Sequence, residues 1–283
     1  MADGRCLMAV HAHPDDEVFS TGGLLAKYAD EGARVVVVYC TRGEAGEMHH
    51  PDLTAEEAMP RLGEIREQEA REAARILGVT DVYFLGYRDS GMKDTEPNKN
   101  PENFMNAPFE EATGRLVDII RDTQPQVIVT YDEDGGYGHP DHIMTHKASV
   151  AAFEASKDEP WGPQKLYFSG RSREAFREYV EALRDHGIEI PWVTGDFNFD
   201  EFGMPNSEIT ANIDISKYAA LKQQALAVHR TQIPADFFYL KLPTNELGRY
   251  AGVEFFLRVE PPPLPGEHED DLFVGTQPRR VAA

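Results

Sequence analysis

Two short strings in this chain combine residue types that hold metal ions and move protons: Ala12-His13-Pro14-Asp15-Asp16-Glu17, and Gly135-Gly136-Tyr137-Gly138-His139-Pro140-Asp141-His142. Each follows an apolar run, Leu7 to Val10 in the first case and Val127 to Thr130 in the second. Zinc accepts His nitrogen and carboxylate oxygen, and a catalytic zinc site uses three protein ligands with one position left open. His13 and Asp16, three residues apart at a turn into a helix, can face one point, and His142 completes a His-Asp-His set. Pro14 fixes φ between the first two and favours a rigid turn. Fe2+ takes the same donors as Zn2+, so the residue types leave the metal open between them.

Two groups remain beside that set. Asp15 is a second carboxylate next to a ligand and is read as the general base for water activated by the metal. His139 precedes the His142 ligand by three residues. Asp141 is near enough in sequence to hold its tautomer and raise its pKa, which would let a charged His139 stabilise an oxyanion and protonate a departing amine. Either string alone is weak, and Asp15 and Asp16 could simply cap a helix, but that leaves His13, His139 and His142 unexplained. His146 could share a helix face with His142. The glycines at 135, 136 and 138 lack the spacing of a phosphate-binding loop and are read as room for substrate. His49, His50, His186 and His268 lie in polar surroundings and are read as solvated.

The two strings can meet only if the elements before them are neighbouring parallel strands, because the ends of such strands share a crevice. Leu7 to Val10 and Arg34 to Cys40 read as buried strands, with helix-spaced Leu24, Leu25 and Tyr28 between them and Gly32 closing the helix. Pro60 to Leu77 and Pro108 to Asp122 read as amphipathic helices, each followed by a strand, Val82 to Leu85 and Val127 to Tyr131. A helix to about Ser156 and a strand from Lys165 to Ser169 continue the alternation. The fold class expected is α/β, a Rossmann-like and mostly parallel sheet with helices on both faces. Residues 1–170 are read as the catalytic core. Residues 171–260 are read as a smaller mixed lobe, with a charged helix near Arg173 to His186, a helix near Ile215 to His229, and strand-like pieces at Phe237 to Leu240 and Val253 to Val259. Residues 261–283 are read as a Pro-rich, acidic, poorly ordered tail.

Against 28 Lys and Arg stand 49 Asp and Glu, a net charge of −21, which repels phosphate backbones and anionic membranes. No nucleic-acid or membrane partner is expected. The first residues lack the basic and apolar pattern of a cleaved leader, so a cytoplasmic protein is expected. Cys6 and Cys40 sit in apolar strands and are read as small buried hydrophobes.

With their strand context, the two strings resemble the LmbE-like, or PIG-L, family of zinc-dependent N-acetylglucosaminyl deacetylases, and within it the mycothiol S-conjugate amidases and mycothiol-pathway deacetylases. The likeness runs from roughly Leu7 to Gln277. It implies amide hydrolysis on a small amino-sugar substrate, with His13, Asp16 and His142 as zinc ligands, Asp15 as base and His139, oriented by Asp141, as acid or oxyanion partner. It further implies that Tyr137 donates to the tetrahedral intermediate and that Arg66 and Asp89 hold sugar hydroxyls. Glu47 and His229 match further strings of the family. Ser20 stands where the amidases usually carry Lys, whereas the Tyr28 to Gly32 helix end and the C-terminal third look closer to the amidases, so both subfamilies stay open. The residues by themselves also leave open a glycan-binding protein without turnover and a hydrolase of another ester or amide. A homo-oligomer is a further open reading.

Overall fold

In the computed structural model, residues 4–277 are described. Seven strands form one sheet: β1 (Cys6–His11), β2 (Arg34–Tyr39), β3 (Asp81–Phe84), β4 (Val127–Thr130), β5 (Lys165–Gly170), β6 (Ala211–Asp214) and β7 (Val253–Glu260). Their spatial order is β3-β2-β1-β4-β5-β7-β6. The first five are parallel, as the apolar runs joined by helices predict, while β7 is antiparallel to both β5 and β6.

Side chains alternate across a strand, so one buried strand feeds two cores. Leu7, Ala9, Val35, Val37, Val127 and Val129 pack into the first, and Met8, Val10, Val36, Val38 and Ile128 into the second. This explains why the parallel strands are apolar at nearly every position. Helices α1 (Asp16–Asp30) and α2 (Leu62–Leu77) cover the first core, whereas α3 (Phe109–Thr123) and α4 (Pro140–Ser156) cover the second. Later in the chain, α5 (Arg173–Asp185) and α6 (Ala219–Ala227) return to the first core through Tyr179, Val180, Leu183, Ala225 and Leu226.

The segment expected as a smaller mixed lobe adds two strands to the main sheet: β7 pairs along the outer edge of β5, and its Phe256 is buried in the first core. An uncovered β5 edge would present unpaired backbone groups, and β7 removes that edge. Phe237 to Leu240 is not a strand, since Phe238–Lys241 form a helical turn. The tail is anchored through residue 277: Leu272 and Phe273 are buried, and the Tyr28 hydroxyl bonds both Asp271 and the Leu272 N–H. Residues 278–283 of the expected tail lie outside the described residues. Among the described residues, no helix is long and apolar enough to cross a membrane.

Candidate active site

Strand order reverses between β1 and β4, which pair in parallel from Leu7 opposite Val127 to Ala9 opposite Val129. Their carboxyl ends open on the crevice where α/β sheets bind ligands. Beyond β1, Cys40 and Thr41 donate to the His11 and Ala12 carbonyls at 2.9 Å, holding the chain extended up to the turn at Pro14. Helix α1 then starts at Asp16. Beyond β4, residues 132–138 loop back to His139, which caps α4 and precedes Pro140 at its first position. Pro is favoured there because a first-turn N–H has no helical partner to lose.

This geometry brings His13 Nδ1, His142 Nε2 and Asp16 Oδ2 together, each 3.3 Å from the other two. A tetrahedral ion about 2.0–2.1 Å from each ligand sets neighbouring donors about 3.3–3.4 Å apart, so the triangle has the size of one face of a zinc site. The outer atoms of the ligands are also fixed. His13 Nε2 meets Asp141 Oδ2 at 3.2 Å and Asp89 Oδ1 at 3.5 Å. His142 Nδ1 meets the Gly135 carbonyl at 3.0 Å. Carboxylate and carbonyl partners on the remote nitrogen hold a ligating His in the tautomer that offers its other nitrogen to the metal. Gly135 has φ 64°, and a Cβ there would lie 2.6 Å from the His142 Cβ, so the loop can close on the ligand only as glycine.

His139 also lies with His13 and His142 in a group whose ring nitrogens fall within 4.8 Å of one another. The tighter triangle through Asp16, with the outer atoms of both imidazoles already paired, makes Asp16 the third ligand of choice. A second close group, His13, Asp89 and Asp141, gathers on the far nitrogen of His13 and reads as the hydrogen-bonded support of that ring.

Burial opposes charge on both Asp16 and His13, but their mutual contacts prevail. His142 and His13 hold the Asp16 carboxyl well below the usual range, and Asp89, Asp141 and Asp16 raise His13 well above its own. Asp15 behaves in the opposite way. Burial, then the neighbouring Asp16 charge, push it up to about 8, against the pull of His229 and Arg66. A divalent cation on the triangle would favour its carboxylate form. Asp15 has φ 99°, and its N–H donates to Glu17 Oε2 at 2.8 Å. A positive φ in a residue other than glycine costs on the order of 1–3 kcal/mol and persists only where surroundings enforce it.

The expected partnership of His139 with Asp141 changes in its atoms. Asp141 sits in the first turn of α4 with its carboxylate turned inward, where it meets His13 and accepts from the Ser90 N–H at 2.9 Å and from the Ser90 hydroxyl. Only the Asp141 main-chain N–H reaches His139, donating to Nδ1 at 3.2 Å. This makes Nδ1 an acceptor, so the neutral ring carries its proton on Nε2. Burial, followed by the nearby His13 and His142, pulls the His139 pKa down to about 4, so the raised pKa expected from Asp141 does not occur.

Tyr137 stands over the site, 59% exposed, with its ring edge-on to His142 at 4.9 Å. Arg66 is buried, and its guanidinium clamps the Gly43 carbonyl and, at 2.8 Å, the Glu47 carbonyl. Asp89 accepts from the Ala45 and Gly91 N–H groups at 3.0 and 2.7 Å. Both residues therefore fix the 43–47 loop at the rim of the site. Ser20 is half-buried on α1, one turn beyond Asp16. The Glu47 side chain is 91% exposed, and only its main chain joins the clamp.

Sequence reasoning missed Tyr131. Its hydroxyl donates to Asp16 Oδ2 and accepts from the Ala12 N–H, both at 2.8 Å, while its ring stacks on His142 at 4.3 Å. One side chain thus orients two members of the triangle. Its position just past β4, beside the second string, was the available signal. Ser90 was also missed, because nothing in its local sequence shows that it will hold Asp141.

The profile of the PIG-L family, described as GlcNAc-PI de-N-acetylase, matches residues 8–153. A 1D-myo-inositol 2-acetamido-2-deoxy-alpha-D-glucopyranoside deacetylase from Acidothermus cellulolyticus is 44% identical over 281 residues, covering 96% of this chain and 95% of the relative. A protein of the same name from Geodermatophilus obscurus is 40% identical over 296 residues, covering 97% and 99%. Among solved structures, the N,N'-diacetylchitobiose deacetylase from Pyrococcus horikoshii is similar with a TM-score of 0.57 and 26% identity, over 97% of this chain and 87% of that one.

Proposed function

The chain belongs to the PIG-L family of de-N-acetylases, and from that premise we propose that it removes the acetyl group from 1D-myo-inositol 2-acetamido-2-deoxy-alpha-D-glucopyranoside, using zinc at His13, Asp16 and His142. The observation that carries this reading is the triangle of donors with Asp15 and His139 beside it and Tyr137 above. Zinc bound there supplies Lewis acidity, which polarises an amide carbonyl and makes water acidic near neutral pH.

The chain's own groups divide the remaining work. Asp15 accepts the proton of the attacking water as its oxygen bonds to the carbonyl carbon. Tyr137 O–H and His139 Nε2–H donate to the oxyanion that forms, in a site whose hydrogen bonds are already oriented. When the C–N bond breaks, the proton taken by Asp15 passes to nitrogen. Acetate and the free amino sugar leave. In this scheme His139 acts as a neutral donor, which follows from its Nδ1 accepting the Asp141 N–H. The Arg66-clamped loop and Asp89 form a polar wall suited to sugar hydroxyls, with Ser20 and Glu47 at its margins. On this reading the enzyme works in the cytoplasm on a soluble substrate.

The test is primary-amine release from the N-acetylglucosaminyl-inositol, run beside a mycothiol S-conjugate, with metal quantified per chain. We expect turnover of the first that depends on bound zinc. Preferential hydrolysis of the conjugate would instead assign the amidase specificity, and absence of amine release from both would sink the reading.

A further inference from the structure

Asp15 is held from a distant part of the chain. Residues 229–232 follow α6 and lie outside the 8–153 segment matched by the family profile. His229 and Glu17 are both fully buried, and His229 Nε2 meets Glu17 Oε1 at 2.9 Å. The other oxygen of that carboxylate receives the Asp15 N–H at 2.8 Å. Three residues beyond His229 stands Gln232, whose side-chain amide donates to the Pro14 carbonyl at 2.6 Å. The peptide joining Pro14 to Asp15 is therefore gripped at both its carbonyl and its N–H.

The gripping loop is itself braced. Thr231 donates to Glu69 on α2 through its N–H at 2.9 Å and its hydroxyl at 2.6 Å, and its carbonyl accepts from the His49 N–H at 2.9 Å. Glu69 lies on the same helix as Arg66, which clamps the 43–47 loop. Among the described residues, no hydrogen bond is found to the Asp15 carboxylate, so the backbone sets its direction. A residue at φ 99° relaxes readily once its surroundings stop enforcing that conformation.

We propose that His229 and Gln232 are positioning residues for Asp15, fixing the Pro14–Asp15 peptide so that the base faces the attacking water. This rests on the reading of Asp15 as the base. A small misplacement of a catalytic group lowers turnover without weakening substrate binding in proportion.

Four variants test it: His229→Leu, His229→Gln, Gln232→Leu and Asp15→Asn, each measured for kcat, KM and zinc per chain on the N-acetylglucosaminyl-inositol. His229→Leu should lower kcat at least tenfold, with KM within twofold and zinc content unchanged. His229→Gln keeps an N–H for Glu17 and should recover most of the lost kcat. Gln232→Leu should lower kcat about fivefold, again without loss of zinc, and it carries the test if His229→Leu does not fold. Parental kcat in either leucine variant would overturn the proposal. So would a loss that comes with lost zinc, or a glutamine variant as impaired as the leucine one. Full turnover in Asp15→Asn would remove the base itself, whereas an inactive Asp15→Asn beside fully active leucine variants would remove only the positioning role.

Discussion

Among the charged side chains that the described residues bury, two clusters are built on opposite plans. Under β5 and β7, Lys165 and Arg258 meet Glu269 at 2.5 and 2.6 Å, Arg258 also meets Glu267 at 2.5 Å, and Tyr167 donates to Glu269 at 2.8 Å. Two cations face two carboxylates, so the cluster is neutral by itself. At the ends of β1 and β4, by contrast, Asp15, Asp16, Asp89 and Asp141 crowd around three imidazoles, with three donor atoms 3.3 Å apart. That cluster is rich in carboxylates, a surplus that a bound cation would offset. Burial of ionisable groups is common to both; internal neutrality separates the structural one from the one we propose to be catalytic.

The sharpest way to break this contrast is to neutralise one member on each side. Asp15→Asn should reduce kcat by about 10²–10⁴-fold, the usual contribution of a positioned acid or base, while zinc content and thermal midpoint stay near the parent. His13→Ala should lose the zinc itself, read by elemental analysis. In the other cluster, Glu269→Leu strands Lys165 and leaves Arg258 with Glu267 alone. It should cost about 3–5 kcal/mol of stability in denaturant unfolding, with kcat per folded molecule unchanged. If Glu269→Leu abolished turnover in the folded protein, the division between the clusters would fail.

The convergence of His13, Asp16 and His142 was legible because they sit within a few residues of apolar runs, and parallel strands carry such residues to one crevice. The assignments that failed did so where sequence adjacency was taken for spatial adjacency. Asp141 is two residues from His139, yet the first turn of α4 directs its carboxylate to His13 and Ser90. Tyr131 and Ser90 act through contacts across the fold that no local pattern announces. The C-terminal sheet was hidden for other reasons. Strand β6 is only Ala-Asn-Ile-Asp, too short and polar to show a period, and Phe237 to Leu240 is a short apolar run that periodicity cannot assign to strand or helix. The Pro-rich tail resembled a linker, but Leu272 and Phe273 anchor it in the core.

Tyr131 lies between the extremes, since it is uncharged yet supports the charged triangle. Tyr131→Phe keeps the ring stacked on His142 and removes the bonds to Asp16 and the Ala12 N–H. Loss of such a support should weaken zinc binding about 10–100-fold, measured by competition with a chelating dye. Turnover should return toward the parent when zinc is saturating. A variant that binds zinc with parental affinity would show that the Tyr131 hydroxyl does not support the triangle.

The smallest effect is expected at Glu47, where motif and geometry point in different directions. Its carbonyl is part of the Arg66 clamp, but its side chain stands in solvent beside His49 at 3.5 Å. Glu47→Ala keeps the main-chain contact and removes only the exposed carboxylate. A group that touches substrate equally before and during reaction affects KM alone, so KM should rise by no more than about fivefold with kcat unchanged. A fall in kcat instead would mean that this carboxylate takes part in the reacting arrangement. The acidic surplus of the crevice would then extend to its rim, and the boundary between a charged catalytic cluster and its polar wall would have to be redrawn around the 43–47 loop.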